Sequence, residues 1–328
     1  MQGPVCAHYI RIPPLADRQG LWDCKKVREV TKSTKSDYNI HTKIHTKMDW
    51  GQKNRISKVI RPKTGKSVML AVDHGYFLGP TTGLEDFKAA VKPLIPYADT
   101  LFLTRGMLRT CVDPNTDVPI MLRASGGTSI VGPELLHEGI TISIEEVIRC
   151  NAVGIGYSIT VGMPWERDTI LDFSKWVDEC NRYGLVAMAV TAVGKDMVRD
   201  AKYLGLACRM AAEHGAHIVK TYYCDKDFEK VVNSCPVPIV MAGGKKLPEL
   251  DALKMAYNAV KAGAVGVDMG RNIFQSDDPV AMIQAVREVV HKETKPEKAY
   301  ELFKKLKKSG HKPKKTVVDQ EEQDDAKV

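Results

Sequence analysis

Between residues 68 and 270, eight short runs of apolar and β-branched residues recur, most of them separated by longer amphipathic runs, three of which stop at a glycine. That alternation predicts an α/β protein built on a parallel sheet. Eight repeats over roughly 220 residues fit a closed (β/α)8 TIM-type barrel better than an open doubly wound sheet.

The strand candidates are "VMLAVD" (68–73), "TLFLTR" (100–105), "PIMLRA" (119–124), "GIGYSITV" (154–161), "LVAMAVTA" (185–192), "HIVKTYY" (217–223), "PIVMAG" (238–243) and "AVGVDMG" (264–270). Among the helical runs, 166–184 ends at Gly184 as its C′ stop, and 196–215 starts from Asp196 as N-cap and ends at Gly215. Residues 251–263 and 279–291 supply the last two barrel helices, while the second and third connections are short or irregular. The predicted organisation is a poorly ordered N-terminal extension (1–48), the barrel (49–302) and a charged, disordered tail (303–328).

With 44% hydrophobic and 27% charged residues, the chain has the composition of an ordinary globular protein. Its formal net charge of +8 lies in the ends: residues 1–48 hold nine Lys/Arg against four Asp/Glu, residues 292–328 hold eleven against eight, and residues 49–291 balance. A nucleic-acid-binding body normally shows a basic face, so no nucleic-acid partner is expected. No run of about 18 apolar residues is present for a membrane span, and the N-terminus lacks the apolar segment of a secretory signal, so no membrane partner is expected. Eight cysteines without a CxxC pair fit a reducing setting, and the expected location is cytoplasmic. Asp17, Asp23, Glu29 and Asp37 argue against an organelle transit peptide. His41 and His45 in "HTKIHTK" have helical i, i+4 spacing, but the lysine- and threonine-rich context offers no third ligand, and no metal is expected. The final "KKLKKSGHKPKK" and "DQEEQDDAKV" form a basic block followed by an acidic one.

In this fold the chemistry sits at the C-terminal ends of the strands. Lys220 follows the apolar pair Ile218 and Val219 on strand 6 and shares a face with Ile218 by the two-residue period. A lysine there either snorkels to solvent or serves as an amine nucleophile whose charge is opposed by burial and favoured by a nearby carboxylate. The strand's place in the barrel favours the nucleophile, which would capture a ketone as an imine and draw electrons from the adjacent carbon. Asp73 ends an apolar strand, so its carboxylate needs a partner, a proton-transfer task or a helix to cap. His74 follows at once and must point elsewhere, which argues against a simple dyad and leaves it a candidate for either a catalytic or a structural role. Gly243 and Gly244 after strand 7, with Gly270 and Arg271 after strand 8, fall where barrels commonly build a phosphate site from backbone N–H groups and a fork-shaped cation. Lys245 and Lys246 either assist there or face solvent.

Those residues, together with "VMLAVDHGYFLGPTTGLE", "VGKDMVRD", "IVKTYY", "CPVPIVMAGGKKLPE" and "GVDMGRNIFQSDDPVAMIQAV", resemble the class I aldolases of the deoxyribose-phosphate and archaeal-type fructose-bisphosphate group. The likeness is closest to acyl-transferring, thiolase-type members and runs from about Met48 to Tyr300, leaving both ends as additions. It implies a (β/α)8 barrel in a ring-based homo-oligomer, a decamer among the options. It also implies Lys220 as the active-site lysine, Asp73 as the strand 1 carboxylate, and Gly244, Gly270 and Arg271 as phosphate-binding positions. The implied reaction is acetyl transfer from a phosphorylated dione to coenzyme A as co-substrate, with no bound cofactor. Imine-forming aldol cleavage of a sugar phosphate is the alternative, and a non-catalytic phosphosugar-binding barrel is the third reading.

One departure bears on mechanism. Related barrels usually carry a tyrosine proton shuttle on strand 4 before a "GS" pair, where "SITVGMPWE" has Thr160 and Met163. Tyr157 lies three residues earlier and should face the opposite side. Either another residue moves protons or the activity has drifted.

Overall fold

The computed structural model describes residues 48–193 and 199–309. All eight predicted runs form strands, each with bounds within two residues of expectation: β1 Ser67–Ala71, β2 Thr100–Leu103, β3 Ile120–Arg123, β4 Gly154–Val161, β5 Val186–Val193, β6 Ile218–Tyr222, β7 Ile239–Ala242 and β8 Gly266–Met269. They pair in parallel, in chain order, and close where Ser67–Leu70 of β1 runs beside Gly266–Met269 of β8. The fold is thus the predicted (β/α)8 barrel.

Strand alternation sorts the side chains into two cores. Inward residues such as Met69, Met121, Met188, Ile218 and Val240 fill the barrel, whereas Leu70, Leu101, Leu122, Ile155 and Val219 face the helices. Each fully buried side chain of this size contributes about 1.5–3 kcal/mol. The lower, N-terminal end of the barrel is plugged by the helix Trp50–Val59, whose Ile56 and Val59 join the inner core. Asp49 caps that helix, accepting a hydrogen bond from the Gln52 backbone N–H at 2.7 Å.

Two boundaries depart from expectation. The helix after β5 spans Ala201–Glu213 and is capped by Asp200, whose carboxylate accepts from the Tyr203 N–H; Asp196 lies outside the described residues. The last helix, Pro296–Ser309, runs through the boundary expected at residue 302, because Phe303 and Ala299 are buried against the barrel helices. Its charged residues occupy the outer face, so a lysine-rich stretch that reads as tail is an amphipathic helix. The helix after β7 starts at Glu249, two residues early, and the 166–184 run ends as predicted, with Gly184 left-handed at φ 65°. The second and third connections are irregular: Arg105–Cys111 is two turns long, and a two-residue antiparallel pair, Ser125–Gly126 with Gly139–Ile140, precedes the helix Ile144–Arg149. The N-terminal extension, His41, His45 and the acidic block lie outside the described residues. Among those described, no helix is long and apolar enough to cross a membrane, and no cluster of three His, Cys, Asp or Glu side chains could hold a metal.

Candidate active site

Going up the barrel, the lumen changes from methionine and aliphatic side chains to a floor made by one ring. Phe102 of β2 lies across the lumen, and opposite it Gly156 of β4 makes room: a Cβ there would fall 2.5 Å from the ring edge. Two cations stand over this ring, Lys220 Nζ at 5.0 Å and the Arg123 guanidinium at 4.8 Å from its centre. Ile218 packs below and Lys220 is one step higher on the same face of β6, as the period of two requires. Lys220 is only 8% exposed, which removes the snorkelling reading.

The partner of Lys220 is Asp268 of β8, with Nζ 2.8 Å from Oδ2 and the carboxylate wholly buried. No well-aligned hydrogen bond reaches either oxygen of Asp268 among the described residues, so charge holds the pair. Burial pushes the Asp268 carboxyl up, with the Asp73 charge adding, against the pull of Lys220 and Arg123. Asp73 is the opposite case. Burial would raise it, but the Arg123 guanidinium, then Lys220 and His74, outweigh that and hold it below the ordinary carboxylate range. Arg123 grips one Asp73 oxygen with two nitrogens, Nε at 2.8 Å and Nη2 at 2.7 Å. Asp73 therefore caps no helix with its carboxylate. It lies two residues beyond the end of β1 and orients a buried arginine.

From Arg123 the network continues outward. Its Nη1 donates to Ser158 Oγ at 2.8 Å and to Ser125 Oγ at 3.4 Å, and Ser125 donates to Glu138 Oε2 at 2.5 Å. The second Glu138 oxygen accepts from the Tyr76 hydroxyl at 2.5 Å, and the Tyr76 ring lies under the guanidinium at 4.9 Å. Burial, with the Glu138 charge adding, pushes the Tyr76 phenol well above its usual range. Arg123, Asp268, Ser125, Ser158, Glu138 and Tyr76 all escape the sequence reading. For Arg123 and Asp268 the signal that singles out Lys220, a charge inside an apolar run, is equally present.

His74 makes no dyad with Asp73: Nδ1 is 3.8 Å from Oδ1 and has no hydrogen-bond partner among the described residues. The ring stands edge-on to Phe274 at 5.4 Å, and burial, with Lys220, Arg271 and Arg123 adding, pushes it down to about 4, so the imidazole is neutral. Gly270 passes directly over it. A Cβ on Gly270 would fall 2.4 Å from His74 Cε1 and 2.3 Å from the Ala71 carbonyl oxygen, so only glycine lets the β8 loop cross the end of β1. Arg271 follows, its Nε buried with no acceptor among the described residues, a state that an incoming anion would relieve. Asn272 shapes the neighbouring loop: its Nδ2 donates to the carbonyls of Gly243 (2.6 Å) and Lys245 (3.0 Å), and its Oδ1 accepts from the Leu247 N–H. Those carbonyls turn inward to Asn272, and Gly244 takes the left-handed conformation at φ 68°. Lys246 is engaged by Glu249 at 2.7 Å, whereas Lys245 is exposed. The structure thus gathers Lys220, Asp73 and His74 over the Phe102 floor and sets Gly243, Gly244, Gly270 and Arg271 on the β7–β8 side.

Strand 4 carries no tyrosine into this cluster. The Thr160 hydroxyl lies 3.3 Å from that of Thr169 on the helix Glu166–Tyr183, and Tyr157, expected on the opposite side from Thr160, also meets that helix, donating to Asp172 at 3.2 Å beside Phe173.

A closed parallel barrel with a buried lysine on its sixth strand is the make-up of a lysine-dependent aldolase-type enzyme. Residues 67–276, which hold every group of this site, match the DeoC/LacD family of aldolases, and the chain belongs to that family. Over 256 residues it is 53% identical to the 3-hydroxy-5-phosphonooxypentane-2,4-dione thiolase of Photorhabdus laumondii and 52% identical to that of Escherichia coli K12, in each case covering 78% of this chain and 88% of the relative. Among solved structures it is similar to an archaeal fructose-1,6-bisphosphate aldolase whose catalytic lysine is covalently bound to the carbinolamine intermediate of its substrate. That match has a TM-score of 0.67 and 26% identity and covers 73% of this chain and 99% of the other.

Proposed function

We propose that this protein transfers the acetyl group of 3-hydroxy-5-phosphonooxypentane-2,4-dione to coenzyme A, giving acetyl-CoA and dihydroxyacetone phosphate, with Lys220 as the amine nucleophile. The observation that carries the reading is the buried Lys220–Asp268 pair above the Phe102 floor, in a chain more than half identical to thiolases of that name.

The chemistry follows from the substrate's connectivity. Lys220 attacks the ketone next to the phosphate-bearing carbon, and water leaves as the imine forms. Asp268, its carboxyl raised by burial, is the group placed to take the lysine proton. The coenzyme thiol loses its proton and its sulfur attacks the acetyl carbonyl carbon. The bond between that carbon and the hydroxyl-bearing carbon then breaks, and its electron pair passes into the imine as an enamine. A proton equivalent to the one lost by the thiol is added to the hydroxyl-bearing carbon. Water hydrolyses the imine, releasing dihydroxyacetone phosphate and the free amine. Tyr76 with Glu138 takes the proton-carrying role that the strand 4 tyrosine has in related barrels, since both are joined to the cluster through Ser125 and Arg123. Asp73, held ionised, fixes Arg123 and offsets the positive charge on the imine nitrogen. The amides around Gly243, Gly244 and Gly270, with Arg271, anchor the phosphate. The phosphorylated substrate and coenzyme A are the small-molecule partners, and a homo-oligomer is the proposed assembly.

Acetyl-CoA formation from the phosphorylated dione tests this, with Lys220→Ala as control and borohydride reduction to fix the imine. Product that requires both coenzyme and lysine, and a substrate-dependent mass increase on the peptide containing Lys220, are expected. A folded Lys220→Ala protein with full turnover would sink the assignment. The aldolase resemblance keeps a second reading open, which cleavage of fructose 1,6-bisphosphate without coenzyme A would favour.

A further inference from the structure

A thiolase has to admit a second, much longer substrate, and the phosphate-binding side of the barrel mouth is taken by the first. Next to it a cavity of about 840 Å³ opens beside the ends of β1, β2 and β3. Its inner end is formed by Asp73, Tyr76, Arg123 and Ser125. None of Lys220, Gly243, Gly244, Gly270 and Arg271 lines it, so it meets the reaction cluster from the β1–β3 side, next to the phosphate loops and not through them.

Besides those polar groups the lining has apolar surface from Leu84, Phe87, Met107 and Ile142 and two exposed cations, Lys88 and Arg105. Neither cation makes an ion pair among the described residues. The two acids beside them are occupied by backbone: Glu85 accepts from the Gly83 N–H at 2.7 Å, and Asp86 accepts from the Ala89 N–H at 3.0 Å as a helix cap. The cavity therefore offers two cations without an ion-pair partner among the described residues, beside two carboxylates already engaged by backbone N–H groups. The size is within the roughly 300–1,000 Å³ of small-molecule sites.

We infer that this cavity is the binding site of the acyl-accepting thiol, coenzyme A. Its sulfur end would lie at Tyr76 and Ser125, its pantetheine arm along Met107 and Leu84, and its phosphates at Lys88 and Arg105. The inference rests on the thiolase reading above and adds the route by which the thiol reaches the acetyl carbon. The kinds of surface in the lining match the parts of the ligand: polar groups for a reactive head, apolar side chains for an arm of modest polarity and exposed cations for an anionic tail.

The test uses the full chain and coenzyme A itself. Titration calorimetry gives its Kd, steady-state turnover gives KM for each substrate, and peptide-resolved alkylation reads Cys111, a half-buried thiol in the cavity wall, against Cys150, a half-buried thiol outside it. In the Lys88→Glu/Arg105→Glu protein, Kd and KM for coenzyme A should rise at least tenfold, with KM for the phosphorylated dione within twofold of wild type. Met107→Trp, which fills the channel, should do the same. Lys58→Glu at the opposite end of the barrel should do neither, and coenzyme A should slow alkylation of Cys111 but not of Cys150. Unchanged Kd and KM in the charge-reversed protein while the wild type turns over would overturn the site and leave the thiolase reading intact. Coenzyme A binding with this dependence, but no turnover by the wild type, would support the site and count against the reaction. Absence of binding at millimolar coenzyme would overturn the site outright.

Discussion

The two ends of the barrel bury polar groups in contrasting ways. At the lower end His217 accepts from the Ala187 N–H at Nδ1 (2.9 Å), so Nε2 carries the proton and donates to Asn181 at 3.0 Å, while Gln52 donates to Asn181 and to the Leu185 carbonyl. Asp99, also at the lower end, is surrounded by donors: Arg61 at 3.1 Å, Arg287 at 2.9 Å, His291 at 2.7 Å and the Val68 N–H at 2.8 Å. The lower end leaves two neutral hydroxyls, Ser67 Oγ and Thr100 Oγ1, buried without a partner among the described residues, whereas at the upper end the carboxylate of Asp268, His74 Nδ1 and Arg271 Nε are buried without well-aligned ones. Saturated networks rigidify a fold, whereas unsatisfied buried groups keep free energy in reserve for a ligand. The lower end holds the barrel together and the upper end is left incomplete for substrate.

The contrast can be broken most sharply at Lys220. Lys220→Ala should lower turnover by at least about 10³-fold, measured under saturating substrate, while the midpoint of thermal unfolding stays within a few degrees, since Asp268 left alone can take a proton. Next is Asp99→Ala, which takes the shared acceptor from Arg61, Arg287 and His291 and should destabilise the fold by about 3–5 kcal/mol in urea titrations, with KM unchanged in the protein that remains folded. Tyr76→Phe should reduce kcat by about 10²-fold with little change in stability; an unaltered kcat would remove Tyr76 and Glu138 from proton movement. The smallest effect is in pH. His74 and His217 are pushed down to about 4 from an ordinary 6.5 by burial, so between those values the unfolded chain binds more protons. Stability should be complete above pH 6.5 and fall toward pH 4, by at most about 1.4 kcal/mol per pH unit for each histidine. Denaturant midpoints at pH 7, 5.5 and 4.5 read this slope, and His217→Gln should lessen it.

The same contrast shows what a sequence makes legible. The eight strands can be read because inward and outward faces are both buried, which leaves dense apolar runs between polar loops. Lys220 and Asp73 stand out as charges at the ends of such runs, and Gly270 and Arg271 by their place in the strand order. Glu138 and Ser125 do not stand out. They lie thirteen residues apart in an irregular connection and meet only because two residues of each flank pair antiparallel. The Asp268 partnership with Lys220 reaches across β7 from β8 to β6, 48 residues apart in the chain, and the last helix hides its apolar stripe among lysines.

Phe102 and Gly156 also set a condition on how this site can be altered over generations. The ring and the missing side chain occupy one volume, so the two positions are exchangeable only as a pair. A lineage holding Phe102 cannot acquire even alanine at 156 without pushing the ring into the amines above it. Any change to the floor has to begin with a smaller residue at 102 and therefore pass through an ancestor whose lysine has lost its aromatic neighbour. That ordering makes the glycine a historical record of the ring.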